Sequence, residues 1–246
     1  MRRWGLAAFV ALTMTTPAKA ACRQALAIGL DVSGSVDPQE FALQTQGLAA
    51  ALTTPAVREV LLGAPGSTVA LAVYDWSGAA DQRLILDWVE VTDAAVLERV
   101  AGAIAGTGRI ERSPATGVGA ALLYGAALLA RQPRCGQAIL DLTGDGLSNS
   151  GPDPRDVSLP DRPSPITVNA LVVAINGEEG WDGGDPGVAE LSAWFATEVI
   201  RGPDAFVEVA LGFEDFAAAM ERKLLRELAG LAVSGPAPGH DTDTAG

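Results

Sequence analysis

The chain has 246 residues, 48% hydrophobic and 19% charged, with a formal net charge of −13. That balance suits one folded α/β domain with a full core rather than a disordered chain. So acidic a surface argues against nucleic acid and against an anionic membrane face as partners.

The first twenty residues read as an export signal. Arg2 and Arg3 give a basic start, Leu6 to Met14 a short apolar run, and Ala18-Lys19-Ala20 a small-residue cleavage site. The apolar run is shorter than the roughly 20 residues that cross a bilayer. Cleavage after Ala20 would remove three basic residues and no acidic one, taking the charge from −13 to −16. Lys19 disfavours a lipid anchor on Cys22, because a lipoprotein signal wants an apolar residue there. The expectation is an exported protein, periplasmic or secreted, with no membrane span.

Beyond the signal, apolar strands alternate with amphipathic helices. Ala25–Asp31 reads as a buried strand. Asp37-Pro38-Gln39-Glu40 is a helix start, with Asp at the N-cap, Pro at the first helical position and Glu at the third. The helix runs through Phe41, Leu43, Leu48 and Leu52 to a break near Pro55. Thr68–Tyr74 and Arg83–Val91 are the next strands, and the short Gly78-Ala79-Ala80 link predicts a hairpin between them. Ala94–Ala105 is helical, with Val96, Leu97, Val100 and Ile104 on one face.

A Gly/Arg/Ser loop, Gly106–Ala115, leads into a helix predicted over Thr116–Arg131 and stopped by Pro133. Ala138–Leu142 and Ile166–Ile175 are buried strands, separated by the loop Gly144–Pro165. An acidic glycine loop follows, then a helix over Val188–Ile200, a strand over Ala205–Ala210 and a last helix over Phe213–Ala229. The last helix carries Phe213, Phe216, Met220, Leu224 and Leu228 as its inner stripe, with Gly230 as its stop. Residues 233–246 are Gly/Pro/Asp/Thr-rich and expected to be disordered. Such alternation implies a single, doubly wound, mostly parallel sheet flanked by helices, with one antiparallel edge strand. No repeat or linker divides residues 21–232.

Cys22 lies nine residues before Asp31, and Cys135 ten before Asp145. If the strands they precede are parallel neighbours, both thiols reach the same end of the sheet. In an oxidising compartment a Cys22–Cys135 disulfide is therefore expected.

Three segments carry the chemistry. Asp31-Val32-Ser33-Gly34-Ser35 places a carboxylate and two hydroxyls on alternate residues where a strand becomes a loop. Thr116 opens a helix, and Asp145 follows a strand in Thr143-Gly144-Asp145-Gly146. All three should reach the carboxyl edge of the sheet, where open α/β sheets bind ligands. Oxygen donors of this kind suit a hard divalent cation. Each residue also has an ordinary reading: a polar turn for the first segment, an N-cap for Thr116, a turn aspartate for Asp145. Three such coincidences at one edge favour the metal. Asp141 is a rival ligand, but its mid-strand position sets it below the edge, so Asp145 is preferred.

The three segments together resemble the von Willebrand factor A family and its metal-ion-dependent adhesion site (MIDAS). The resemblance implies that Ser33, Ser35 and Thr116 reach the metal directly, with Asp31 and Asp145 acting directly or through water. Mg²⁺ is the expected ion, with Mn²⁺ or Ca²⁺ as alternatives. It also implies a protein partner whose carboxylate completes the coordination. The third segment departs from the common Thr-Asp-Gly of relatives, having Gly144-Asp145-Gly146 with Thr143 one step earlier. The ending, Gly202-Pro203-Asp204-Ala205-Phe206 with Phe216 and Arg222-Lys223-Leu224-Leu225-Arg226-Glu227, resembles a smaller bacterial family of exported, von Willebrand factor A-like proteins of unassigned function.

Other features are weaker. The loop Glu178–Asp185 could hold Ca²⁺ or present Trp181, but its acids lack the spacing of a calcium loop, so an acidic surface loop is the simpler reading. Asp75 and Trp76 are expected to cap or pack. The only histidine is His240, in the tail, which leaves no His-based acid–base or triad chemistry. No nucleotide-binding glycine motif is present. A non-enzymatic, metal-dependent binding module is expected; the alternatives are a metal-dependent hydrolase and a structural domain whose site is unused.

Overall fold

The structure, a computed structural model, describes residues 21–64, 66–174 and 187–229. The expected signal segment, the loop Glu178–Asp185, Gly230 and the tail 233–246 lie outside the described residues. Among the described residues six strands form one sheet: β1 (Ala21–Asp31), β2 (Ser67–Trp76), β3 (Gln82–Val91), β4 (Gln137–Gly144), β5 (Ile166–Ala174) and β6 (Val207–Leu211). Their order is β3-β2-β1-β4-β5-β6. Only β3 runs antiparallel, paired with β2 through the predicted hairpin; the other pairings are parallel. From β1 the chain turns one way to β2 and later the other way to β4. The β1–β4 crevice is therefore the topological switch point.

The central strands are buried on both faces, as crossover helices require. One face packs under α1 (Pro38–Thr53), α2 (Pro55–Leu62), α3 (Ala94–Ala105) and α6 (Phe216–Ala229). The other packs under α4 (Val118–Ala130) and α5 (Val188–Trp194). The predicted inner stripe of α6 and the Phe213 that precedes it are all buried. At the start of α1, the Asp37 carboxylate accepts from the backbone N–H groups of Gln39 and Glu40, and Glu40 accepts from Asp37 N–H at 2.7 Å. This reciprocal cap, worth about 1 kcal/mol, anchors the helix directly behind the Asp31–Ser35 loop.

Two glycines let α4 lie close to the sheet. A Cβ on Gly29 would meet the Tyr74 ring at 2.6 Å, and one on Gly125 would meet Leu140 Cδ1 at 2.2 Å. Tyr74 is fully buried between them and donates its hydroxyl to Ala121 O at 2.8 Å. The predicted Cys22–Cys135 disulfide is present, joining the start of β1 to the turn before β4. Gly136 N donates to Cys22 O beside it.

Several boundaries differ from expectation. The helix predicted from Thr116 begins at Val118, and its N-cap is Gly117, which has no side chain to cap with. The break near Pro55 is followed at once by α2, because Pro is favourable at the first helical position and Thr54 accepts from Val57 N. The helix expected to reach Ile200 becomes a π-helix over Phe195–Val199. β6 starts at Val207 rather than Ala205: Phe206 N–H donates to the Asn169 side chain instead of to the backbone of β5, and Asp204 just before it holds a left-handed φ of 55°.

Candidate metal centre at the β1–β4 edge

β1 delivers Asp31 to the carboxyl edge of the sheet, and the chain then turns back so that its next residues fold over that carboxylate. Asp31 Oδ1 accepts from Ser33 N–H at 2.7 Å. The Ser33 and Ser35 hydroxyl oxygens lie 3.3 Å apart, and Ser35 Oγ donates to Asp145 Oδ1 at 2.7 Å. Asp31, Ser33, Ser35 and Asp145 thus form one contiguous oxygen cluster. Asp31, Ser33 and Asp145 are buried, while Ser35 is exposed.

Thr116 reaches this edge by its backbone. Its N–H donates to Asn149 Oδ1 at 2.8 Å, and its carbonyl accepts from Asn149 N, Ser150 N and Ser148 Oγ. The segment before Thr116 is stitched to the Asp31 loop by Gly34 N donating to Pro114 O at 2.9 Å. A Cβ on Gly34 would stand 2.7 Å from Pro114, so this approach requires glycine. The segment after it is held by Gly117 N donating to Ser77 O at 2.7 Å. Thr116 is therefore clamped between the loops that carry the other four residues.

A ring of hydrogen bonds beneath the cluster fixes Asp31. Its N–H donates to Thr143 Oγ1 at 3.0 Å; Thr143 donates to Gln44 Oε1 at 2.9 Å; Gln44 Nε2 donates to Asp31 O at 2.9 Å. Arg109 adds a further brace, donating to Val32 O at 3.2 Å. Sequence reasoning missed Gln44, Asn149 and Arg109. Gln44 alone left a trace: it is a polar residue at a core position of α1, in step with Phe41 and Leu48.

Asp141 is not part of the cluster. It points from mid-strand toward α6 and pairs with the buried Lys223. Asp75 is neutralised by Arg83, which donates from Nε at 2.9 Å, with Arg112 at 3.8 Å. Trp76 is fully buried, in keeping with the expected packing role.

The electrostatics suit a cation. Burial raises the Asp31 carboxyl from its ordinary 3.8 to about 8, and the neighbouring Asp145 carboxylate pushes the same way. Hydrogen bonds from Ser33 and from the Asp145 backbone oppose the shift. Asp31 Oδ2 is buried with no hydrogen-bond partner. A buried carboxylate oxygen left in that state costs about 1–3 kcal/mol or more, which a bound cation would offset. No group of three His, Cys, Asp or Glu among the described residues could hold a metal, so any ion here needs the serine and threonine oxygens. The donors are all oxygen, as Mg²⁺, Mn²⁺ and Ca²⁺ prefer.

Comparisons with known proteins bear on fold and family. A family model described as "Protein of unknown function (DUF1194)" matches residues 21–232. No curated protein matches the chain. Among solved structures, a von Willebrand factor type A protein from Catenulispora acidiphila superposes with a TM-score of 0.51 at 14% identity, covering 85% of this chain and 43% of that one. Proximal thread matrix protein 1 from the mussel byssus, with a zinc-occupied MIDAS motif, gives 0.53 at 14% identity, covering 86% and 47%. The pilus adhesin SpaC from Lactobacillus rhamnosus GG, in its open conformation, gives 0.53 at 14% identity, covering 85% and 30%. The chain spans less than half the length of each. At such identities the likeness shows the fold, which is of the von Willebrand factor A type.

Proposed function

Taking as premise that the chain belongs to the family described as Protein of unknown function (DUF1194), we propose that it is a metal-dependent, non-enzymatic protein-binding module. Asp31, Ser33, Ser35, Thr116 and Asp145 would hold one divalent cation, Mg²⁺ before Mn²⁺ or Ca²⁺. Bound there, the ion would act as an electrophile with a coordination position left for a carboxylate from a partner protein. The chain's own residues hold the donors in place: the Asp31–Thr143–Gln44 ring sets the carboxylate, and Gly34 and Asn149 set the flanking loops. The observation that carries this reading is the buried Asp31 Oδ2, which has no hydrogen-bond partner, in a loop whose Ser33 and Ser35 hydroxyls run on to the Asp145 carboxylate.

The occupied MIDAS of the thread matrix protein and the adhesive role named for the pilus protein are consistent with this reading. Export is proposed from the expected signal segment, and the disulfide fits an oxidising compartment. Among the described residues no helix is long and apolar enough to cross a membrane.

Calorimetry with Mg²⁺, Mn²⁺ and Ca²⁺ on the wild type and on Asp31→Ala tests the metal. Saturable binding lost in the variant is expected; no heat with any of the three ions would sink the site. Capture of a partner from an envelope fraction, abolished by EDTA, tests the binding role. Metal-dependent turnover of a phosphoester panel would instead make the site that of a hydrolase.

A further inference from the structure

A second polar site lies at the opposite edge of the sheet. A cavity of about 620 Å³ opens between the amino ends of β4 and β5, the turn before β6 and the last turns of α6. Its size falls in the range of small-molecule pockets. Its walls include residues from both parts of the terminal motif that the metal centre does not use: Pro203, Asp204 and Phe206 from the turn, and Arg226 and Glu227 from α6.

The turn is built with backbone strain. Asp204 holds φ at 55°, and Gly202 at 95° lies where a Cβ would meet Ile166 O at 2.7 Å. Non-glycine residues in the left-handed region persist only where surrounding contacts enforce them, and they gather at ligand sites. Here Thr167 donates to Pro203 O, and Phe206 N donates to Asn169 Oδ1 at 3.1 Å. These bonds present the Phe206 ring, on which the Arg226 guanidinium stacks at 3.8 Å. Stacking holds the guanidinium flat, yet Arg226 makes no ion pair among the described residues.

Beside Arg226, Glu227 is only 7% exposed and lines the same cavity. Its Oε1 accepts from Asn169 Nδ2 at 2.7 Å and from Lys223, while its Oε2 is buried with no hydrogen-bond partner. Asp204 adds a second carboxylate to the wall. The cavity wall therefore carries a stacked guanidinium with no ion-pair partner among the described residues, beside two carboxyl side chains, Asp204 and Glu227.

The geometry points to a binding site for a small zwitterion, an α-amino acid or short peptide, with its carboxylate on Arg226 and its ammonium on Glu227 and Asp204. A planar guanidinium binds carboxylates through paired N–H donors, and stacking pre-pays part of the ordering cost. An ammonium placed there favours the ionised forms of Glu227 and Asp204. This site is independent of the metal centre.

The test uses the full chain, thermal-shift screening and calorimetry with the twenty L-amino acids and the dipeptide Ala-Ala. At least one should bind saturably and raise the melting temperature. Acetylating the amine or amidating the carboxylate of that probe should each weaken binding at least tenfold. Arg226→Gln, an exposed substitution, and Asp204→Asn, which tolerates a positive φ, should each do the same while leaving the unliganded fold intact by circular dichroism. Asp31→Ala should leave this affinity unchanged. The proposal is overturned if no probe binds, if the blocked probes bind as well as the parent, if acetate alone matches it, or if Arg226→Gln binds like the wild type.

Discussion

Replacing Asp31 with Asn separates what the residue does for stability from what it does for binding. The Asn carbonyl can still accept from Ser33 N–H, and no buried carboxyl is left to ionise beside Asp145. Without metal, Asp31→Asn should therefore be as stable as the wild type or more so by about 1 kcal/mol. If the proposed site binds Mg²⁺, the stabilisation that Mg²⁺ would confer on the wild type should be absent from the variant, and urea unfolding with and without Mg²⁺ measures both. Gln44→Ala acts in the opposite sense. It leaves the Thr143 hydroxyl and the Asp31 carbonyl short of buried partners, costing about 1–3 kcal/mol even without metal. An unchanged unfolding midpoint for Gln44→Ala would show that the ring beneath Asp31 is not structural. Asp31, Ser33, Ser35 and Asp145 were legible because their residue types and spacing advertise the chemistry. Gln44 and Asn149 were not, because an amide bracing a loop leaves no periodic or compositional trace.

The elements were legible wherever local forces agree. Asp37-Pro38-Gln39-Glu40 announces α1 because capping is satisfied within four residues. The start of α4 was misplaced by two residues because Thr116 looks like a cap, whereas its N–H is taken by Asn149, 33 residues away in sequence. Two glycine substitutions test how tertiary contact overrides local preference. Gly102 is exposed in α3 with nothing within 4 Å of a built Cβ, so Gly102→Ala should stabilise by about 0.5–1 kcal/mol. Gly125 in α4 would gain the same helical preference, but its Cβ would meet Leu140 at 2.2 Å and the Tyr74 hydroxyl at 2.7 Å. Overpacking of that kind costs about 1–3 kcal/mol, so Gly125→Ala should be net destabilising. Equal shifts in the two thermal unfolding curves would contradict this account.

At the scale of the whole molecule, two long-range devices tie the sheet together. The Cys22–Cys135 disulfide closes a loop of 113 residues in sequence separation. In the chain-entropy account that constrains the unfolded state by roughly 4–5 kcal/mol, so reduction should lower the unfolding midpoint in proportion. Asp141, Lys223 and Glu227 form a buried triad linking β4 to α6. Burial, and then the Asp141 carboxylate, raise Glu227 from its ordinary 4.5 to about 8, with Lys223 opposing. The folded protein thus holds a proton that the unfolded chain releases. Its contribution to stability is full below pH 4.5 and is lost as pH rises through about 8. Glu227→Gln should flatten that part of the stability profile in urea titrations between pH 5 and 8.5. The amino-acid sequence by itself determined the alternation of elements, the burial of the strands, the capping of α1 and the residue types of the oxygen cluster, because each rests on local pattern. Tertiary structure alone decided three things: the strand order that puts β1 beside β4, the assignment of Asp141 to Lys223, and the cavity at the opposite edge. Each depends on which distant residues meet across the sheet, and contacts closed over such separations, 82 residues for Asp141 and Lys223, leave no mark on the segments that make them.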